Sequence, residues 1–192
     1  SSLDSINLSS FDTSKVTDMV GIFQTCRTLK SIDLTNINTS SIKSMNFFFH
    51  ECSNLTSVDI SSWDISQVTN MYFTFGHCYS LKEINFGNIN TSSVVNIESL
   101  FSSCESLKSI DLSKFNTSKV TNMNYMFYNC KIIKAIDLSN FNTVNLQHMI
   151  GMFFKCEKLI SINVSSFNTS LVTSFQNIFS ECQNLKYLDL SN

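Results

Sequence analysis

The chain has 192 residues, 43% of them hydrophobic and 15% charged, with a formal net charge of −2. That is enough apolar material for a real core and too even a balance for a nucleic-acid surface. These residues hold no apolar run of about 18 residues and no charged-then-apolar leader, which excludes a membrane-spanning helix and a signal peptide within them. Proline is absent and glycine occurs only four times, so cis-proline turns and proline-ended helices drop out as well. The Asn, Ile, Lys and Phe that dominate instead have AT-rich codons, and part of their abundance reads as genomic bias.

Seven cysteines stand at 26, 52, 78, 104, 130, 156 and 182, a constant spacing of 26. A fixed period across a chain is the signature of stacked repeats. Cutting after each cysteine gives seven units, with positions 1 to 26, and the first ten residues of an eighth. Along a unit the first predicted element is a strand. Position 3 is Leu in all but Ile133, position 6 is Ile, Val or Leu, position 8 is apolar, and position 7 is always Asp or Asn. Positions 4 to 9 (108–113 in the fifth unit) therefore alternate like a short half-buried strand. An aromatic or Ile plug follows at position 11, then a small polar block, 116–118 in the fifth unit, suited to a turn and a helix N-cap. Val120, Met123, Met126, Phe127 and Cys130 come next at spacings of three and four, which predicts a short helix over 120–130 with these residues inward. Phe occupies position 23 of all seven units.

No composition shift marks a linker, so residues 1–192 read as one domain. A single unit has too few apolar side chains to offset the ordering of its backbone, so stability must come from interfaces between units. The expected fold is α/β: a right-handed solenoid of strand-turn-helix units with a parallel sheet on its concave face and short helices on its convex face. The wider helices would bend the stack into an arc. Polar capping units, common at solenoid ends, are not seen, and the expectation is an excerpt of a longer array.

The repeat C-x-x-L-x-x-I-D-L-S-x-F-[ND]-T-S-x-V-T-x-M-x-x-M-F-x-x-C resembles a leucine-rich repeat. More closely it is similar to the BspA-like leucine-rich repeat surface proteins, in a variant known from mycoplasmas, other bacteria and some protists. The likeness covers the whole chain. It implies a cell-surface or secreted protein engaged in adhesion or host-protein binding. Unit four departs from it with Ile97, Glu98 and Ser99, unit six with Val144, Asn145, Leu146 and Gln147, and unit seven with Phe175.

Two surfaces are candidates for a partner. Position 7 should line the concave sheet, one residue per unit: Asp33, Asp59, Asn85, Asp111, Asp137 and Asn163, with Asn7 and Asp189 beyond them. Lysines at position 4 (Lys30, Lys82, Lys108, Lys134 and Lys186) lie close enough to offset its charge, and a solvated, charge-balanced face is the plainer reading. The second is a patch on the helix face made by Phe47, Tyr72, Phe73 and Tyr125, with Phe48, Tyr128 and Phe154 in the same columns. Lateral packing between helices competes there with partner contact.

The cysteines sit on the predicted inward face and read as small hydrophobes; seven is odd, so they cannot all pair with one another. His50, His77 and His148 fall on the helix surface of different units, and no metal-ligand spacing accompanies them. Sequons at Asn7, Asn38, Asn54, Asn90, Asn116, Asn163 and Asn168 arise by repetition of N-T-S. No phosphate loop, H-E-x-x-H or serine elbow occurs. The sequence thus predicts a non-catalytic binding module without cofactor, whose partner is a protein or glycan, such as a host extracellular or surface protein. The alternatives are self-association end to end into filaments or layers, and an intracellular repeat scaffold.

Overall fold

Stacking 26-residue units in register puts each residue beside its counterpart one period on. In the computed structural model, which describes residues 4–6, 8 and 10–189, the units are rungs in that register. The alternation at positions 5 to 7 gives three-residue strands: β1 (Ser57–Asp59), β2 (Glu83–Asn85), β3 (Ala135–Asp137), β4 (Ser161–Asn163) and β5 (Tyr187–Asp189). All pair in parallel, Val58 with Ile84, Ile136 with Ile162, and Ile162 with Leu188. β1 and β2 form one small sheet and β3, β4 and β5 another.

No helix occurs among the described residues. The expected α/β solenoid with convex helices is therefore corrected: the second half of each rung is a chain of turns. Rung three shows how its backbone is satisfied. Met71, Phe73, Phe75 and His77 donate their N–H groups to the carbonyls of Asn96, Glu98, Leu100 and Ser102 on the next rung, at 2.9, 3.1, 3.1 and 2.7 Å. Thr74, Gly76 and Cys78 donate to Met71, Phe73 and Phe75 of their own rung, at 3.2, 3.1 and 3.3 Å. The Tyr72 N–H is held by Asn70 Oδ1 at 3.1 Å. Alternate peptides thus bond outward and inward. A second line of parallel bridges, Ser44 to Asn70 to Asn96 to Asn122 to His148, runs along this face.

The physical reason lies in thickness. An α-helix is about 10 Å across, whereas rungs joined by backbone hydrogen bonds repeat at about 4.8 Å. Bonding on both faces requires the turn side to be as thin as the strand side. Reversing every second peptide puts positions 21 and 25 in left-handed backbone, including Phe47 (φ 56°), Phe73 (51°), Tyr125 (54°), Thr25 (60°) and His77 (62°).

The inward set is the one the spacing indicates. Leu29, Leu55, Leu81, Leu107, Ile133 and Leu159 are fully buried, as are Met71, Met123, Met126 and Phe127. Phe49, Phe75, Phe101, Phe127 and Phe153 form a continuous stack with ring centroids 5.5 to 6.0 Å apart. Buried threonines at position 13 tie rungs together. Thr91 Oγ1 accepts the Asn116 N–H at 2.8 Å and donates to the Asn116 carbonyl at 3.0 Å, and Thr143 treats Asn168 alike.

Candidate functional site

On the strand face the position-7 column is exposed, one residue per rung. Each side chain already closes a turn of its own backbone. Asp33, Asp59, Asn85, Asp111, Asp137 and Asn163 accept through Oδ1 from the N–H of Thr35, Ser61, Gly87, Ser113, Ser139 and Ser165, at 2.9 to 3.2 Å. These bonds and the hydroxyls of the same Thr and Ser residues, the Ser61 hydroxyl foremost at Asp59, hold the four carboxyls below the usual carboxylate range. Asn85 Nδ2 also donates to Asp59 Oδ2 at 3.0 Å, so an amide interrupts the run of charge. Of the position-4 lysines, Lys30 alone makes an ion pair among the described residues, with Asp4 at 4.0 Å.

The N-T-S block does the same work. Asn38, Asn90, Asn116 and Asn168 accept from the N–H of Ser40, Ser92, Ser118 and Ser170, at 3.0 to 3.1 Å. With position 18 adding the Asn70, Asn96 and Asn122 turns, each corner of a rung rests on a side-chain oxygen. Asn7 lies outside the described residues, as does the side chain of Asp189.

The turn face carries the aromatic residues. Phe47 and Phe73, one rung apart, stack at 6.0 Å, and Tyr72 meets both edge-on at 5.1 and 4.8 Å. Close approach of these rings to backbone is built in: a Cβ on Gly76 would fall 2.2 Å from Cδ1 of Phe73. Tyr125 belongs to a second cluster, with Tyr128 at 6.0 Å and Phe154 beyond it, over which Lys155 Nζ sits 5.2 Å from the centroid. Rung four, with the buried Ser99, Ser102 and Ser103, separates the two. Phe48 is core, packed on Trp63.

Two histidines join the first cluster, which residue-by-residue inspection of single units misses. His50 stands edge-on to Phe47 at 5.4 Å and to Phe73 at 5.1 Å, and its centroid is 5.3 Å from that of His77. His77 stacks on Phe73, and its Nδ1 lies 3.0 Å from the Tyr79 hydroxyl. The signal was their separation of 27, one period plus one. Burial pushes the His50 imidazole pKa down, and neighbouring His77 adds to this. His50 Nδ1 is buried without a hydrogen-bond partner. The Arg27–Glu51 ion pair lies beside the group. His148 is exposed elsewhere.

The thiols of Cys78, Cys104, Cys130 and Cys156 are buried and free. Desolvation raises them all, that of Cys130 to about 12. Among the described residues no three His, Cys, Asp or Glu side chains converge as a metal site would require, and no helix is long and apolar enough to cross a membrane. An apolar cleft of about 350 Å³ opens at rung seven between Met149, Phe153, Phe167, Phe175, Ile178 and Phe179.

No curated protein matches the chain. Among solved structures it is similar to a leucine-rich cell surface protein of Faecalibacterium prausnitzii, at 16% identity over 88% of this chain and 75% of that one, with a TM-score of 0.29. It is also similar to a leucine-rich repeat protein of Bacteroides ovatus, at 17% identity over 89% and 69%, with a TM-score of 0.24. A family model matches residues 1–109 and again 71–192, overlapping as a repeat array would. The BspA-like resemblance of the repeat and this match agree, and the chain belongs to the family described as "Mycoplasma protein of unknown function, DUF285".

Proposed function

We propose that this chain is a non-catalytic binding module of a cell-surface protein and that it holds a protein or glycan partner on its turn face. The observation that carries the reading is the convergence of Phe47, Tyr72 and Phe73 with two histidines into one half-exposed group of rings. Half-exposed aromatics held in fixed geometry suit contact with a partner because little conformational freedom is lost on binding. The acidic strand-face column is the weaker candidate, since its oxygens already serve its own turns.

The test is binding of the purified chain to immobilised host extracellular-matrix proteins and to a glycan array. The reading expects Tyr72→Ala with Phe47→Ala to abolish capture, and the joint change of Asp33, Asp59, Asp111 and Asp137 to Asn, which keeps each turn, to leave it intact. Capture unchanged by the aromatic pair and lost with the four aspartates would overturn it in favour of the strand face.

A further inference from the structure

The binding reading leaves the two histidines in the aromatic cluster without a role, and their placement is unusual. An imidazole on a solvated face keeps both nitrogens in water. His50 instead lies edge-on between Phe47 and Phe73 of successive rungs, with Nδ1 buried and unpartnered. With the neutral ring's proton on Nε2, that nitrogen is a bare lone pair, which a buried site tolerates. In the imidazolium it becomes an N–H donor with nothing to receive it, in a ring whose centroid is 5.3 Å from that of a second imidazole.

We propose that His50 is an acid-sensitive latch on the turn face: neutral, it packs across Phe47 and Phe73, and when protonated it swings out and uncovers their rings. This rests on the reading of that face as the partner surface, and it adds the condition under which the surface changes. The driving force is the missing acceptor at Nδ1 together with repulsion from His77.

The surrounding charges bear on whether protonation is met by compensation. On the same rung Glu51 favours the imidazolium, but its carboxylate is engaged by Arg27, at the start of that rung. On the following rung stands His77, and the hydroxyl of Tyr79, at the start of rung four, is taken up by His77 Nδ1. Tyr72, the other titratable ring in the cluster, lies toward Glu98 of rung four and packs on Phe47 and Phe73. His50 thus has one carboxylate in reach, and that one is already occupied. Burial and the second histidine outweigh it, in line with the lowered pKa of His50.

The experiment is an NMR titration of the whole chain from pH 7.5 to 5, following the His Cε1–H and Phe ring resonances. His50 is expected to titrate below the ordinary imidazole value of about 6.5, with the Phe47 and Phe73 ring shifts moving at the same midpoint. His50→Gln should abolish the ring movement and His148→Gln should leave it unchanged. His77→Gln, which keeps the His50 ring and removes the second charge, should raise the His50 midpoint; it also serves if the His50 variant does not fold. Ring shifts that stay fixed through the His50 midpoint, or that move equally in His50→Gln, would overturn the latch. Because no partner is present, this outcome is independent of the capture experiment, which tests the surface itself at neutral pH.

Discussion

The Cys130 thiol donates to the backbone carbonyl of Phe101, one rung back, at 3.2 Å. The same bond recurs from Cys52 to Phe23, Cys78 to Phe49, Cys104 to Phe75, Cys156 to Phe127 and Cys182 to Phe153. Phe101 O also accepts the Cys104 N–H at 3.1 Å, so one carbonyl joins two rungs. The residue that sets the period is thereby also a small buried donor that fits the space behind each ring of the stack.

Reactivity should follow from this. Thiolate is the reactive form, and Cys52 and Cys130 are raised to about 12 by burial. Iodoacetamide at pH 8 should modify the half-buried Cys26 and Cys182 first, and the remaining five of the seven cysteines only in denaturant. Peptide mass spectrometry of timed samples would show it. Early labelling of Cys104 would contradict the packing.

The buried threonines give a matched pair. Thr91 Oγ1 both donates to and accepts from the Asn116 backbone, but Thr39 Oγ1 is buried with no partner, and the following rung carries Ile65 at that position. Thr39→Val should therefore stabilise the chain by about 1 kcal/mol, whereas Thr91→Val should destabilise it by about 1 to 2 kcal/mol. Urea unfolding midpoints of the two variants should move in opposite directions.

Left-handed backbone is costly for a β-branched residue. Thr25 has φ 60° and an exposed side chain, and its N–H bonds to the His50 carbonyl at 2.8 Å. Thr25→Gly should relieve about 1 kcal/mol locally. Amide exchange at that position should slow by roughly fivefold, since about 1.4 kcal/mol is a factor of ten. Faster exchange would show that the strain is not there.

Acid should weaken the fold in two stages. His50 has a lowered pKa when folded, so the unfolded chain takes up a proton first as pH falls below about 6.5. Its contribution is complete above that value and is lost on descending through it. Asp59 is a depressed carboxyl, so its contribution is present above about 3.9 and is lost as pH drops further. Asp59→Asn keeps the turn, as Asn85 does naturally, but loses the bond from Asn85 Nδ2, so it should lower neutral-pH stability slightly while flattening the lower limb. Asp59→Ala should lower stability at every pH. Thermal melts at intervals from pH 3 to 8 would separate the limbs.

The rung, its period and its core were legible because they depend only on which residues recur. Met123, Met126, Phe127 and Cys130 do face inward. The local shape was not, because spacings of three and four are shared by a helix and by overlapping turns such as 123–126, 125–128 and 127–130. What separates them is the destination of alternate N–H groups on another rung, a non-local fact. The Asn and Asp recurrence suggested a ligand surface and an N-cap, and both columns hold turns. The aromatic columns did bring Phe47, Tyr72 and Phe73 together, but Tyr125 went to its own cluster, and His50 met His77 only through the offset between columns.

The alternate peptides of the turn face have an electrical consequence. The outward N–H groups of positions 19, 21, 23 and 25, from Met45 to Asn70, Phe47 to Tyr72, Phe49 to Thr74 and Glu51 to Gly76, point toward the higher-numbered rung, outnumbering the opposite bond of position 17, from Lys43 to Thr17. Their dipoles therefore add along the stack instead of cancelling as they largely do across a sheet. The positive pole lies toward the later rungs, opposite to the sense of an α-helix, whose positive pole is its N-terminus. A chain with a net charge of only −2 is thus polarised end to end along one side by its backbone.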